Sequence, residues 1–389
     1  MEAEETDPNE WALEQALGGI KAGFADITDP RVAGRTAHPV INIVVMALLA
    51  VMSGLQSWEG MERFGKIRKR WLGRFLDLPE EQPIPSDDAF RRVLGMLNPT
   101  EFSSCLFKWT QAMHAAVQGD VIAVDGKTLR GTCDADGQGG LHLVSAWAQQ
   151  QGLTLGQVAC EEKSNEITAI PALLRLLNIK GHTVTIDALG CQTEIVEQIR
   201  AQGGNYVICV KSNQTTLRRD VEQLYADATD SDKPRVSHRE THETAHGRNE
   251  ERIYTAVSVP AKHAQRARWK DLNSILAVGN CRHEADGSEI WQTRYFISNL
   301  SANAKQLSTC VRGHWDIENK VHWTLDVAFR EDSIRQYDRT AATNLAAIRK
   351  LALTLLRKET SEKASIRHKQ IMCSLDPTYL IRVFKAAWF

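Results

Sequence analysis

Closely spaced cysteines are absent from this sequence of 389 residues, although it contains eight cysteines in total. No two of them lie closer than 18 positions, which excludes the CxxC pairs of structural zinc sites and of dithiol redox centres. We therefore expect the eight cysteines to be reduced thiols in packed positions.

A long hydrophobic run is also missing. The longest apolar stretch, 40–52, is interrupted by Asn42 and is shorter than the roughly 20 residues that a membrane-spanning helix needs. The first 14 residues contain six acids and no base, whereas a signal peptide would carry bases there. The sequence therefore predicts a cytoplasmic protein without a membrane partner.

A strong excess of positive charge is lacking as well, because the net charge is −1 at pH 7. The bases are nevertheless clustered. Residues 61–75 hold six bases and one acid, and residues 349–389 hold nine bases and three acids. Such patches can neutralise DNA phosphates, although a basic helical face is more often simply solvated.

A complete phosphate-binding P-loop is not present either. Gly126, Lys127 and Thr128 look like the end of this motif, but the motif requires a glycine five residues before Gly126, and that position is Val121. This departure argues against a nucleotide triphosphatase.

The sequence does contain three acidic residues in three distinct contexts. Asp125 and Asp187 each end a β-branched run that is typical of a buried strand, and Glu318 lies in a helical pattern. Taken singly, each acid fits a turn, a helix cap or a solvated surface better than a functional site. Taken together at one edge of a sheet, they would repel one another unless a cation joined them, which suits Mg²⁺ and a phosphodiester substrate.

The first hundred residues have a helical pattern, with an apolar segment at 47–55, a basic amphipathic segment at 58–76 and a Ser- or Asp-capped segment at 85–97. The third segment presents Arg91 and Arg92. It fits a helix-turn-helix DNA reader and a plain helical bundle equally well.

From Asp120 the pattern changes to alternating strands and helices. We predict a mixed sheet whose first strand is central, with strands at 121–124, 141–147, 153–159, 182–186 and 206–210, and with helices at 167–177 and 191–201.

Residues 213–300 are predicted to be a β-rich insertion, with strands at 252–257, 274–278 and 291–297. Histidines recur there every four residues, at His238, His242 and His246, which would form a metal-binding face on a helix. The Thr, Val and Gly content of the segment favours a hairpin with surface histidines instead.

After the insertion, Ile317, Val321, Leu325 and Ala328 form an apolar stripe at helical spacing. That stripe turns Glu318, His322 and Asp326 into an adjacent row. A second helix is predicted at about 340–358.

Several segments together carry a resemblance to a known family. The chain resembles bacterial insertion-sequence transposases with a DDE catalytic core, in the branch of the H-repeat-associated proteins. The matching segments cover nearly the whole chain and are 123–131, 163–171, Asp187 and Ala188 with Gln192, 206–211 with Asn213 and Gln214, 246–248, and 314–332.

This resemblance implies an α/β fold with a ribonuclease-H-like mixed sheet, a β-rich insertion and a preceding helical domain. It implies Asp125, Asp187 and Glu318 as the catalytic acids and as ligands of two Mg²⁺ or Mn²⁺ ions. The implied division is a helical DNA-end-binding domain at 1–115, the first part of the catalytic core at 116–212, the insertion at 213–300 and the last part of the core at 301–389.

The implied activity is cleavage at insertion-sequence ends followed by strand transfer into target DNA. The implied partners are double-stranded terminal inverted repeats and target DNA, bound by a homodimer in the bacterial cytoplasm or nucleoid. A metal-dependent nuclease that does not join DNA, and a catalytically silent domesticated DNA-binding protein, are the alternatives.

Polar and basic residues near the matching segments are candidates for DNA contacts. Many transposases with such an insertion carry Tyr and Arg seven and four residues before the catalytic Glu and Lys seven after it, but Val311, His314 and Leu325 occupy these positions here. That signature is therefore not carried over, and Arg312, His314 and His322 are candidates for phosphate contacts only. The full set is Arg91, Arg92, Lys127, Arg130, Lys211, Gln214, His246, Arg248, Arg312, His314 and His322.

Overall fold

The computed structural model describes residues 18, 21–25, 27–32, 34, 36–115, 117, 119–133, 139–160, 166–230, 236–245, 248–283 and 289–386. Within these ranges, no helix is long and apolar enough to cross a membrane. The eight cysteines are free thiols, and all of them except Cys133 are buried, which confirms most of the cysteine prediction.

Within residues 36–115 of the described chain, four helices precede the sheet: α1 (Val40–Met52), α2 (Trp58–Leu72), α3 (Asp87–Met96) and α4 (Pro99–Ala115). The Ser86 hydroxyl caps α3 by accepting a hydrogen bond from the Ala89 N–H, as the sequence predicts. The apolar helix α1 begins earlier than predicted. It includes Asn42, whose side-chain amide donates to the Asp77 carbonyl at 2.8 Å, so this buried polar group is satisfied.

The sheet begins with β1 (Val121–Leu129), β2 (Leu141–Ala148) and β3 (Leu153–Cys160). It continues with α5 (Glu166–Arg175), β4 (Thr183–Ile186), α6 (Thr193–Ala201) and β5 (Asn205–Val210).

After β5 come α7 (Thr215–Thr229), β6 (Val236–Ala245), β7 (Arg248–Ser258), α8 (Ala264–Arg268), β8 (Ser274–His283) and β9 (Glu289–Ser298). The chain then forms α9 (Ala304–Asp316), a π-helical segment (Ile317–His322), α10 (Trp323–Val327), α11 (Arg339–Lys358), α12 (Ile366–Leu375) and α13 (Pro377–Lys385).

The described strands form one mixed sheet in the order β3-β2-β1-β4-β5-β9-β8-β7-β6. β1 and β4 are parallel, as are β4 and β5, and the other neighbours are antiparallel. This arrangement confirms the predicted mixed α/β sheet, in which β1 lies between β2 and β4.

The predicted end of β1 is wrong. β1 does not stop at Val124 but continues to Leu129, because β2 pairs with it antiparallel as far as Leu141. β4, its parallel neighbour, stops at Ile186. Asp125 is therefore a mid-strand residue that nevertheless lies at the level where the neighbouring strand ends.

The insertion is β-rich, as predicted, but its strands extend the core sheet. β9 pairs antiparallel with β5 over four residue pairs, from Val207 opposite Ser298 to Val210 opposite Tyr295. His238 and His242 lie on strand β6, which pairs with β7, so the hairpin interpretation is confirmed for these two residues. His246 lies outside the described residues.

Helices cover both faces of the sheet. One apolar core joins β1, β2 and β4 to α5, α6 and α7. On the opposite face, another core joins Ala123 and Trp147 to the π-helical segment, α10, α11 and the N-terminal helices. The domain boundaries after residues 115, 212 and 300 stay predictions. Helices from 1–115 and from 301–389 share this second core.

Candidate active site

The ends of two parallel strands bring Asp125 and Asp187 together. Val124 is paired with Ile186, and each aspartate is the next residue along its strand direction. Both side chains line a cavity of about 230 Å³. This edge of the sheet is where open α/β folds place their ligands.

Glu318 reaches the same cavity from the helical layer. It belongs to the π-helical segment, in which one extra residue per turn shifts the side chains relative to a regular α-helix. Ile317, Val321, Leu325 and Ala328 are buried, which confirms the predicted apolar stripe. The π-helical geometry itself has no signal in the sequence pattern.

The electrostatics of Asp125 reflect a shared acidic site. Burial raises the pKa of Asp125 to about 7; the Gly126 N–H opposes this shift, and the charges of Asp187, Glu166 and Glu318 add to it. Among the described residues, no Lys or Arg forms an ion pair with the carboxylates of Asp125, Asp187 or Glu318. The three acids therefore combine high negative charge with little internal compensation.

His322 is placed beside Asp125, with 3.6 Å between its Nδ1 and Asp125 Oδ2. The residue is buried, and burial, with Lys350 and Lys127, lowers its pKa to about 3. A buried neutral imidazole does not offer charge to DNA. The phosphate contact of His322 stays a prediction.

Lys127, another candidate for a DNA contact, has three acidic partners inside the protein. Its ammonium is paired with Asp326, with Glu331 at 3.0 Å and with Asp332 at 3.5 Å, and its side chain is 13% exposed. The group is therefore engaged inside the protein, in a network that joins β1 to α10 and to the segment after α10.

Two of the predicted DNA-binding residues do line the acidic cavity: Lys211 and His314. The His314 Nδ1 lies 3.1 Å from the Thr185 hydroxyl. Burial lowers the pKa of His314, and the neighbouring Asp187 opposes that shift. Lys211 is exposed, so it is accessible to a ligand in the cavity.

The remaining candidates lie elsewhere or have other partners. Arg130 is exposed beside Asp332, Gln214 donates to the Cys191 carbonyl at 2.8 Å, and Arg312 pairs with Glu243 at 2.9 Å. Arg91 and Arg92 are exposed on α3. Arg248 begins β7, and His246 is not among the described residues.

Sequence reasoning missed several residues that line the cavity: Cys209, Arg294, Phe296 and Trp315. Arg294 lies 5.2 Å from the centre of the Trp315 ring, in a cation–π contact. Pairing between β5 and β9 brings Arg294 to this place from a distant part of the chain. A local sequence pattern does not predict a contact between residues so far apart in the chain.

The donor set of the cavity fits a hard divalent cation. Asp125, Asp187 and Glu318 offer carboxylate oxygens only, which suit Mg²⁺ or Mn²⁺ better than softer metals. On the surface, the ligand atoms of Glu240, His242 and Glu251 all lie within 4.8 Å of one another. The ligand atoms of the three acids in the cavity do not meet this distance. An ion held by these acids would keep positions for water and substrate ligands, as Mg²⁺ usually does.

Two family models match the chain. One is described as DDE_Tnp_1-associated and matches residues 22–110, and the other is described as Transposase DDE domain and matches residues 117–355. "Putative protein YbfL" and "H repeat-associated putative transposase YhhI", both of Escherichia coli strain K12, are each 35% identical to this chain over 362 residues. The alignments cover 92% of this chain and 95% of each relative. "Putative transposase YncI" of Escherichia coli O157:H7 is 35% identical over 361 residues, which is 92% of both chains.

Proposed function

This chain belongs to the family of transposases with a DDE domain, and we propose that it cleaves DNA at the ends of a mobile element and joins those ends to target DNA. The observation that carries this proposal is the convergence of Asp125, Asp187 and Glu318 on one cavity, from two strand ends and a helix. Both reaction steps are in-line displacements at phosphorus, which need positioning and charge stabilisation but no covalent enzyme intermediate.

Asp125, Asp187 and Glu318 would hold two Mg²⁺ or Mn²⁺ ions, which when bound would activate the attacking oxygen and stabilise the leaving oxygen. Lys211 and Arg294 line the same cavity and would attract the phosphodiester into it. A neutral His314 can donate one hydrogen bond to a phosphate oxygen without adding charge.

The N-terminal helices would recognise the element ends. Arg92 lines a cleft of about 420 Å³ together with Arg31 and His38, and both Arg91 and Arg92 are exposed. We expect Arg91→Ala with Arg92→Ala to weaken binding to terminal-repeat DNA while leaving the acidic cavity intact. Unchanged end binding in a fluorescence anisotropy titration would refute this assignment.

The active species would be at least a dimer, because joining both ends of an element requires two sites to act in one complex, and each chain supplies one acidic site. Mixing an Asp125→Asn subunit with an Arg91→Ala, Arg92→Ala subunit tests this assembly. Restored joining would support action in trans. Full joining by protein that sediments as a monomer on paired ends would contradict it.

The decisive test of the reaction uses the full chain, labelled duplex DNA carrying the terminal repeats of its own element, a target plasmid, and Mg²⁺ or Mn²⁺. Joined product supports transposition. Cleaved ends without joined product would instead indicate a nuclease, and DNA binding without metal-dependent cleavage would indicate a silent DNA-binding protein.

A further inference from the structure

A buried His–Glu pair lies on the face of β1 opposite the catalytic acids. Side chains alternate along a strand, so Gly126 faces away from Asp125, toward the core that contains α5. His142 of β2 and Glu166, the first residue of α5, occupy this place. Their side chains are 1% and 6% exposed, and His142 Nε2 lies 2.6 Å from Glu166 Oε1.

The hydrogen bonds of this pair are complete at the imidazole. Thr128 is the cross-strand partner of His142, and its hydroxyl oxygen lies 2.8 Å from His142 Nδ1. With its hydrogen on Nε2, His142 donates to Glu166 and accepts from Thr128, so both ring nitrogens are satisfied. A buried carboxyl group is costly to retain without such a partner, so the pair holds its members in fixed positions.

Gly126 is the contact between this pair and the catalytic strand. A Cβ atom at Gly126 would overlap both Glu166 Oε1 and His142 Nε2. The φ angle of Gly126 is not in the left-handed region, so space and not backbone conformation requires glycine here. Gly126 directly follows Asp125 in β1, so a displacement of the Gly126 backbone also displaces Asp125.

We propose that the Glu166–His142 pair, termed here the backing pair, is a positioning unit that holds the Gly126 backbone and thereby fixes the Asp125 carboxylate for metal binding. The inference rests on the proposed function, since it assumes that Asp125 is a metal ligand. Glu166 and His142 act through Gly126 and do not contact the substrate. Groups that orient metal ligands in this way typically change metal affinity by about 10- to 100-fold when they are lost.

A merely structural role is the competing explanation, and metal affinity separates the two. The measurement is Mn²⁺ binding to the full chain without DNA, in which electron paramagnetic resonance monitors the free ion. Urea unfolding and DNA binding are measured in parallel. We expect Glu166→Ala and Gly126→Ala each to weaken Mn²⁺ binding about 10- to 100-fold. Duplex binding in the absence of metal should stay at the wild-type level.

Matched controls exist for both changes. Glu194 is an exposed glutamate in the first turn of α6, so Glu194→Ala repeats the Glu166 change away from β1. Gly279 is a glycine on β8 of the same sheet, where a Cβ would meet its nearest neighbours at 3.9 Å. Glu194→Ala and Gly279→Ala should both bind Mn²⁺ like the wild type.

Two further variants make the result unambiguous. Glu166→Gln keeps the shape and one hydrogen-bond acceptor, so it should rescue most of the affinity that Glu166→Ala loses. The double variant Gly126→Ala, Glu166→Ala should bind Mn²⁺ no more weakly than the single variant with the larger loss, because both changes disrupt the same unit. Additive losses, or a Glu166→Gln variant as weak as Glu166→Ala, would overturn the positioning role.

Failure of the inference and failure of the proposed function give different results. If Mn²⁺ binding is lost in Asp125→Asn but retained in Glu166→Ala and Gly126→Ala, the backing pair has no positioning role and the metal site stands. If Asp125→Asn binds Mn²⁺ as tightly as the wild type, the assignment of Asp125 fails, and the inference fails with it. If Glu166→Ala does not fold, Gly126→Ala and Glu166→Gln decide the question by the same criteria.

Discussion

Asp125 and Lys127 face the same side of β1, and each is surrounded by carboxylates of very different character. Asp125 meets Asp187 and Glu318, and burial raises its pKa to about 7. Lys127 meets three acids that come after Glu318 in the sequence: Asp326, Glu331 and Asp332. We refer to the first group as the catalytic acids, after the role that we propose for it, and to the second group as the lysine cluster.

In the lysine cluster the protein supplies its own cation. Burial alone would raise the pKa of Glu331, but Lys127, Arg349 and Lys350 together lower it below its usual value. The catalytic acids have no ion pair with Lys or Arg in the described part of the chain. The lysine cluster therefore joins two segments of the fold. The catalytic acids repel one another, and a bound cation can relieve this repulsion.

The strongest test of this comparison removes one catalytic acid at a time. Asp125→Asn, Asp187→Asn and Glu318→Gln should each lower the rate of strand cleavage by about 1,000-fold or more, since metal stabilisation of the transition state supplies several kcal/mol. Duplex binding should persist, because no buried apolar group is removed. A cleavage assay with Glu194→Gln as the control would contradict the prediction if any of the three variants cut at the wild-type rate.

Removing the cation from the lysine cluster should affect stability. Lys127→Met leaves the buried Glu331 without its nearest positive partner, and breaking a buried pair typically costs about 3–5 kcal/mol. Urea unfolding measures this loss, and Mg²⁺ should not restore it. Lys66→Met removes an exposed lysine from an i,i+4 pair with Glu62 and should change little. Equal losses in the two variants would show that the lysine cluster does not stabilise the fold.

Asp125 should have the opposite effect on stability. Its folded-state pKa, about 7, lies above the ordinary value of 3.8, so the folded protein retains a proton that the unfolded chain releases. This favourable contribution is complete below about pH 4 and is lost as the pH rises through 7. In metal-free buffer, the free energy of unfolding of Asp125→Asn should therefore rise by roughly 1–2 kcal/mol relative to that of the wild type between pH 5.5 and pH 8. Urea unfolding at both pH values tests this, and a constant difference would refute it.

The elements of the fold could be predicted where the pattern is local. The strand at 182–186 and the helix that carries Ile317 and Val321 follow from periodicities of two and 3.6 residues. The extension of β1 beyond Val124 and the pairing of β9 with β5 could not, because strand pairing joins residues that are distant in sequence. Helix α4, which begins at Pro99, is not among the segments predicted from the sequence.

The candidate site could likewise be predicted only where local sequence patterns determine it. The contexts of Asp125, Asp187 and Glu318 locate them at one edge of the sheet, and the structure places them around one cavity; their catalytic roles stay predictions. Lys127 and His322 were assigned to DNA because they lie near these acids in sequence, which does not reveal burial. Arg294 reaches the cavity, and Glu166 the opposite face of β1, through nonlocal packing.

The smallest expected effect tests whether burial sets the energy of each pair within the lysine cluster. Asp332 is the outer acid, with 24% of its side chain exposed and 3.5 Å between its Oδ1 and Lys127 Nζ, whereas the Glu331 side chain is 1% exposed. Asp332 also accepts a hydrogen bond from the Arg130 N–H at 3.2 Å, which Asp332→Asn can keep through its amide oxygen. Because solvent screens partly exposed pairs, Asp332→Asn should cost only about 0.2–1 kcal/mol in urea unfolding, well below the loss in Lys127→Met. If the two losses were equal, all three carboxylates would act as one indivisible unit, and the graded contrast between buried and exposed partners would be wrong.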